Sequence, residues 1–243
     1  VMDINVQGTR NVVNTCLALG VKRLVHVSSV AALGRQKGQK VVTEDNKWAE
    51  SSLNSVYAKS KYLAELEVFR GQEEGVSSVI INPSLILAEA NWNISSAQLF
   101  KYAWEEKPFY MDGFINYVDV KDVSDLTYRL LASDIDGTRF IVSAGKVSYK
   151  DFFGILAKKK KKKAPSIRLT PNLLKIGAMI ETLYAQIMGV EPRLTKETAR
   201  LAGSEFLFEN KKIKNLLSFE FQPLDKTLQR CCRYYIMKGK PKK

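Results

Sequence analysis

The chain has 243 residues, 45% hydrophobic and 26% charged, an ordinary globular composition with length enough for one good-sized α/β domain or a domain plus an appendage. No apolar run approaches the roughly 18 residues of a membrane span, and Val1-Met2-Asp3-Ile4-Asn5 lacks the basic start and apolar core of a signal peptide; the expected compartment is the cytoplasm. The net charge is +13, yet residues 1–150 hold 17 Lys and Arg and 17 Asp and Glu, so the whole excess falls on residues 151–243.

That excess includes the unbroken lysine run 158–163 and a basic tail, Lys238-Gly239-Lys240-Pro241-Lys242-Lys243. Such runs attract phosphates and acidic head groups. Without aromatic interleaving or a recognisable binding motif they read as solvated turns and frayed ends, and nucleic acid is not an expected partner. Cys16, Cys231 and Cys232 have neither metal-ligand spacing nor a disulfide pattern, so buried or unreactive thiols and no metal site are expected.

In chain order, residues 3–19 carry apolar side chains in helical recurrence, and Gly20 suits their end. Arg23-Leu24-Val25-His26-Val27 is short, partly β-branched and followed by small polar residues, which reads as a buried strand. Residues 35–54 are too polar for core. Residues 55–74 form a strong helical pattern through Tyr57, Tyr62, Leu63, Leu66 and Phe69. Ser78-Val79-Ile80-Ile81 is a second buried strand, stopped at Asn82-Pro83.

Helix, strand, helix, strand argues for parallel strands joined by crossover helices, an α/β sheet. A short strand is expected at Asn116-Tyr117-Val118, a helix over 120–132 and a strand at Arg139-Phe140-Ile141-Val142. From Ser148 the patterns are almost all helical, over 149–156, 173–188, 195–202, 211–217 and 224–237. Composition and charge shift together there, which sets the expected domains at 1–147 and 148–243, the second a mostly helical, basic lobe.

A tyrosine four residues before a lysine puts both on one helix face. A nearby ammonium stabilises tyrosinate, which suits proton exchange with a carbonyl or alcohol oxygen; a serine hydroxyl opposite can hold that oxygen in the transition state. The spacing occurs three times, at Tyr57/Lys61, Tyr117/Lys121 and Tyr234/Lys238. Context selects the first: it lies early on a helix between two buried strands, with Ser28-Ser29 at the carboxyl end of the first strand, where open α/β sheets bind ligands. The other two read as packing and solvation. His26, the only histidine, sits inside an apolar strand and reads as a packed, satisfied imidazole rather than a catalyst.

Five segments in order then resemble the extended short-chain dehydrogenase/reductases: Asn5-Val6-Gln7-Gly8-Thr9-Arg10-Asn11-Val12, Gly20-Val21-Lys22-Arg23-Leu24-Val25-His26-Val27-Ser28-Ser29, Tyr57-Ala58-Lys59-Ser60-Lys61, Asn82-Pro83-Ser84 and Val118-Asp119-Val120-Lys121-Asp122-Val123. Within them the chain is similar to the NAD-dependent epimerase/dehydratase branch with dihydroflavonol reductases and 3β-hydroxysteroid dehydrogenases. The resemblance implies a Rossmann-like doubly wound parallel sheet. It also implies that Ser29 orients the substrate, with Ser28 the alternative register, that Tyr57 is the general acid/base, and that Lys61 holds the nicotinamide ribose and stabilises the tyrosinate. Asn5 would complete the tetrad through a water, a helix-start role being the other reading, and Asn82, Pro83 and Ser84 would lie beside the nicotinamide. Asp119 and Asp122 match a structural turn.

The family's opening strand and glycine-rich turn, whose helix N-terminus holds the pyrophosphate, have no counterpart in this sequence: Gly8 and Gly20 are isolated, and Gly34 and Gly38 follow the first strand. The expectation is a piece of a longer protein that binds nicotinamide cofactors poorly alone. The cofactor is NAD or NADP, with the likeness to reductases favouring NADP. The leading function is hydride transfer between nicotinamide and a small-molecule carbonyl or alcohol. A nucleotide-sugar epimerase or dehydratase is the alternative within the family, and a non-catalytic scaffold using the basic lobe is the alternative outside it. Trp92, Phe100, Trp104, Phe109, Tyr110 and Phe114 lean towards a hydrophobic carbonyl compound, though core packing explains them equally. A homodimer is one assembly the resemblance allows.

Overall fold

The computed structural model of the chain describes residues 1–36, 38–170, 173 and 206–239. A π-helical turn, Asp3–Gln7, leads into α1 (Gly8–Ala18). The end of α1 is a Schellman motif: Gly20, at φ +60°, donates to the Leu17 carbonyl and Val21 donates to the Cys16 carbonyl at 2.9 Å. After β1 (Leu24–Val27), Ser29 opens a single 3₁₀ turn, Val30–Leu33, and the polar loop beyond contains the two-residue strand β2 (Val41–Val42). Helix α2 (Val56–Glu73) begins where Ser55 Oγ accepts from the Ala58 N–H at 2.9 Å.

Next come β3 (Ser78–Pro83), β4 (Leu85–Leu87), α3 (Ala97–Trp104), β5 (Phe109–Met111), β6 (Phe114–Asp119), α4 (Val120–Leu131), β7 (Thr138–Val142), β8 (Gly145–Ser148), α5 (Tyr149–Lys160), β9 (Ile167–Leu169), β10 (Leu207–Phe208), α6 (Lys211–Leu217) and α7 (Leu224–Lys238). The helices expected over 173–188 and 195–202 fall, Leu173 apart, outside the described residues.

The central strand is β3, buried along its length and parallel to β1 on one side and β7 on the other. It runs two residues past its expected stop. Pairing with β1 ends at Ile81, whereas β7 accompanies β3 to Pro83, opposite Val142, and proline is tolerated in that terminal position. Alternation sends its side chains to both faces. Val79 and Ile81 pack with Phe140 and Val142 against Val123, Leu126 and Leu130 of α4 and Ile213 of α6. On the other face Ile80 meets Val13 of α1 and Val68 of α2, while Ile141 meets Val30, Leu33, Val42 and Phe208. Helices cover both faces of a parallel sheet, the doubly wound α/β arrangement expected from the sequence.

The described residues form two compact units. One comprises Val1–Ile86, Asn116–Gly145 and Phe206–Gln222 and holds this sheet; the other comprises described residues of Leu87–Ile115, Lys146–Glu205 and Pro223–Lys243. The passage at 145/146 lies beside the shift in composition.

In the second unit β5 pairs in parallel with β9, and α3, α5 and α7 share a core. That core corrects the reading of the lysine run. α5 extends to Lys160, so Phe152, Leu156 and Lys160, each four residues apart, lie on one buried stripe. Lys160 is only 8% exposed, Lys159 pairs with Asp225 at 2.6 Å and Lys162 with Glu106 at 3.2 Å. Long aliphatic stems let lysines line an apolar surface. Trp92 and Phe100 are likewise buried, packed on the Tyr235 ring at 4.3 and 5.0 Å. Core packing accounts for these two, while Phe109 remains exposed.

Candidate active site

The carboxyl end of β1 delivers Ser29 in extended conformation. Its Oγ accepts from the Ala31 N–H at 3.2 Å and its carbonyl accepts from the Ala32 N–H at 3.0 Å, which folds the 3₁₀ turn back at once. The turn closes at Gly34, whose φ is +72° and where a Cβ would stand 3.3 Å from the Trp48 ring; only glycine fits easily.

α2 packs against this turn and carries Tyr57 and Lys61. Tyr57 is 46% exposed. Between the two lies buried Ser60, whose hydroxyl donates to the Tyr57 carbonyl at 2.8 Å and accepts from Asn5 Nδ2 at 2.9 Å. Asn5 therefore caps no helix; it ties the π-helical turn to the turn of α2 that bears Tyr57. The Lys61 ammonium reaches the Val27 carbonyl at 3.5 Å, two residues before Ser29. Burial pushes its pKa down from the ordinary lysine value, and the Glu65 carboxylate opposes that.

At the end of β3, Asn82, Pro83 and Ser84 are buried. Asn82 Nδ2 donates to the Ser29 carbonyl at 2.9 Å and to Glu65 Oε1, while the Ser84 N–H donates to the Val142 carbonyl at 3.0 Å. The structure thus joins Ser29 to Asn82, links Asn5 to the Tyr57 turn and sets Lys61 on the strand that ends at Ser29. Among the described residues no side-chain hydrogen bond joins Tyr57, Pro83 or Ser84 to the rest.

Two residues here escaped the sequence reading. Glu65 is fully buried on α2, and its Oε2 accepts from Arg139 Nη1 at 3.2 Å. Burial raises the Glu65 pKa, opposed by the Ser28 side chain, Arg139 and Asn82. The available signal was position: Glu65 lies four residues after Lys61, on the same face.

His26 is a correction. Its Nε2 is buried with no hydrogen-bond partner among the described residues, where a satisfied imidazole was expected. Strand alternation points Leu24 and His26 together towards α1, into a cleft of about 300 Å³ that Asn5, Gly8 and Thr9 also line. Burial first, and the Lys61 charge second, lower its pKa to about 4. Of the other tyrosine–lysine pairs, Lys238 donates to Tyr234 at 3.1 Å on the exposed end of α7. Among the described residues no group of three or more His, Cys, Asp or Glu side chains could hold a metal ion, and no helix is long and apolar enough to cross a membrane.

The polar groups at this end of the sheet have the chemistry to hold the nicotinamide–ribose end of a dinucleotide. Asn82 Oδ1 and Ser84 Oγ are buried without hydrogen-bond partners among the described residues, and the Lys61 ammonium has one long bond to a carbonyl. Buried polar atoms of that kind ask for a partner.

In fold and sequence the chain is similar to the extended short-chain dehydrogenase/reductases. Residues 1–95 match the model of the 3-beta hydroxysteroid dehydrogenase/isomerase family. The chain is 26% identical over 218 residues, 86% of its length, to the protein named "Putative dihydroflavonol 4-reductase" of Synechocystis sp., and spans 62% of that protein's length. Its fold matches the crystal structure of gox2253 with a TM-score of 0.81 at 28% identity, covering 99% of this chain and 74% of that one. It also matches dTDP-glucose 4,6-dehydratase of Bacillus anthracis, solved in complex with NAD, with a TM-score of 0.73 at 14% identity, covering 97% and 68%. At that identity the likeness is one of fold, and nothing in it favours NADP.

Proposed function

We propose that the protein containing this chain is an NAD- or NADP-dependent oxidoreductase acting on a small carbonyl or alcohol compound. One observation carries the reading: an exposed tyrosine and a half-buried lysine lie on consecutive turns of α2, and the lysine reaches the Val27 carbonyl at the carboxyl end of β1, two residues before Ser29. The nicotinamide, when bound, supplies or accepts the hydride. Lys61 would hold the ribose hydroxyls, Asn82 and Ser84 the nicotinamide side, with Pro83 between them. Ser29 orients the substrate oxygen, and Tyr57 gives or takes its proton, general acid/base work worth about 10²–10⁴ in rate. Asn5 supports the Tyr57 turn through Ser60. The names of the matched family and of the Synechocystis relative both favour a hydrophobic ring compound as substrate.

The test is net oxidation of NADH or NADPH by the natural full-length protein with a panel of steroid and flavonoid ketones, comparing wild type with Tyr57→Phe. Turnover that falls at least about 100-fold in the variant is the expected result. Undiminished function in Tyr57→Phe overturns the assignment and favours a scaffold. Product formation without net cofactor change moves it to an epimerase or dehydratase.

A further inference from the structure

The buried Glu65 carboxylate sits where four parts of the first unit meet. It lies on α2, one turn after Lys61. Its Oε1 accepts from the Asn82 amide at the end of β3, and the same Nδ2 donates to the Ser29 carbonyl at 2.9 Å. Its Oε2 accepts from Arg139 of β7, whose guanidinium donates to the carbonyls of Glu44 and Asn46, at 2.7–2.9 Å, in the loop ahead of α2. The Glu44 side chain in turn accepts from the Ile141 N–H at 2.9 Å. An ionised carboxylate here requires every partner it has, because burying a charge without them is strongly unfavourable.

We propose that Glu65 is a positioning residue: through the Asn82 amide it fixes the Ser29 backbone to α2, so that the serine and the Tyr57–Lys61 turn are held at one separation. A hydrophobic residue could pack α2 onto β3 without the burial of a charge; a carboxylate adds direction, since one oxygen faces Asn82 and the other Arg139. Glu65 also sets the charge around Lys61. Among the described residues its carboxyl group opposes the lowering of the Lys61 pKa by burial, and His26 of β1, held neutral by its low pKa, is the other titratable group that interacts with that ammonium. The inference rests on the reading of Ser29, Tyr57 and Lys61 given above.

The test is amide hydrogen exchange on the natural protein and its Glu65→Gln variant, with Lys61 titrated by NMR of isotope-labelled lysine. Release of the turn should raise exchange at Ala31, Ala32 and Gly34 at least about tenfold while Val79 to Ile81 of β3 keep their protection, because local opening and global unfolding are separable. Lys61 should lose its proton at lower pH in the variant. Exchange that rises equally at both places, or at neither, overturns the proposal. If Glu65→Gln does not fold, Glu65→Asp, which keeps the charge for Arg139 and withdraws the oxygen from Asn82, carries the same comparison. Full activity in Tyr57→Phe would sink the catalytic reading alone; unchanged exchange in Glu65→Gln with an inactive Tyr57→Phe would sink this inference alone.

Discussion

The Lys160 ammonium donates to the Phe100 carbonyl at 3.1 Å from within 5.1–5.6 Å of four ring centres, those of Trp92, Phe100, Trp104 and Tyr235. The rings recover part of the hydration that a buried cation loses. Burial still brings its pKa down to about 8, opposed by Cys232 and Cys231.

Between that value and the ordinary 10.5, the unfolded chain binds more protons at Lys160 than the folded one, so this residue's contribution to stability improves as pH rises from about 8 to about 10.5. Cys232 and Tyr235, both pushed up by burial, act the other way over part of that range. The difference between wild type and Lys160→Met isolates the lysine. Urea unfolding at several pH values should show that difference shift in favour of wild type by about 1–3 kcal/mol between about pH 7.5 and pH 10. A pH-independent difference would show that the ammonium is effectively solvated.

His26 gives the opposite end of the pH scale a clean probe, because it is the sole histidine. Its folded pKa of about 4 lies below the usual 6.5. The unfolded chain therefore gains a proton first as pH falls, and the stability present above about 6.5 is lost progressively towards 4. Its single imidazole NMR resonance should not titrate between about pH 7 and pH 5, and His26→Gln should flatten the pH dependence of unfolding in that window. A midpoint near 6.5 in the folded protein would contradict the burial.

Asp119 caps α4: its carboxylate accepts from the Lys121 N–H at 2.8 Å, and buried Asp122 accepts from the Gln222 N–H at 2.9 Å. Both contacts tie the carboxylates to backbone N–H groups. Asp119→Ala should cost about 1 kcal/mol and Asp119→Asn much less, measured by denaturant unfolding. Equal losses in the two variants would mean that the charge at the helix end matters more than the cap.

What could be read from the sequence followed from local signals. Apolar periodicity and the Gly20 terminator outlined α1, and the recurrence of Tyr57, Tyr62, Leu63, Leu66 and Phe69 outlined α2, because each is decided within a few residues. That β1, β3 and β7 run parallel followed from their alternation with helices. Glu65 and Arg139 were hidden for the converse reason: they are 74 positions apart in sequence, and although Glu65 shares the face of Lys61, that position alone does not tell a buried carboxylate from a solvated one. The lysine run misled for a similar reason. Composition marks 158–163 as a solvated block, yet the helical stripe begun at Phe152 carries Lys160 into an aromatic core whose other walls come from 92–104 and from Tyr235.

Gly71 records another long-range constraint. It lies inside α2, where alanine would ordinarily stabilise the helix by about 1 kcal/mol, but a Cβ there would stand 2.5 Å from Val13 Cγ1 of α1. Val13 is fully buried and also packs on Ile80, so it has little room to give. Gly71→Ala alone should therefore destabilise by about 1–3 kcal/mol. In a Val13→Ala background, which removes the clashing methyl, the same change should become neutral or stabilising by up to about 1 kcal/mol. The pair should show a coupling of about 1–4 kcal/mol in a double-mutant cycle of denaturant unfolding. An equal cost in both backgrounds would mean that the two helices separate freely enough to admit a methyl group, and that the close approach of α1 to α2 does not require the glycine.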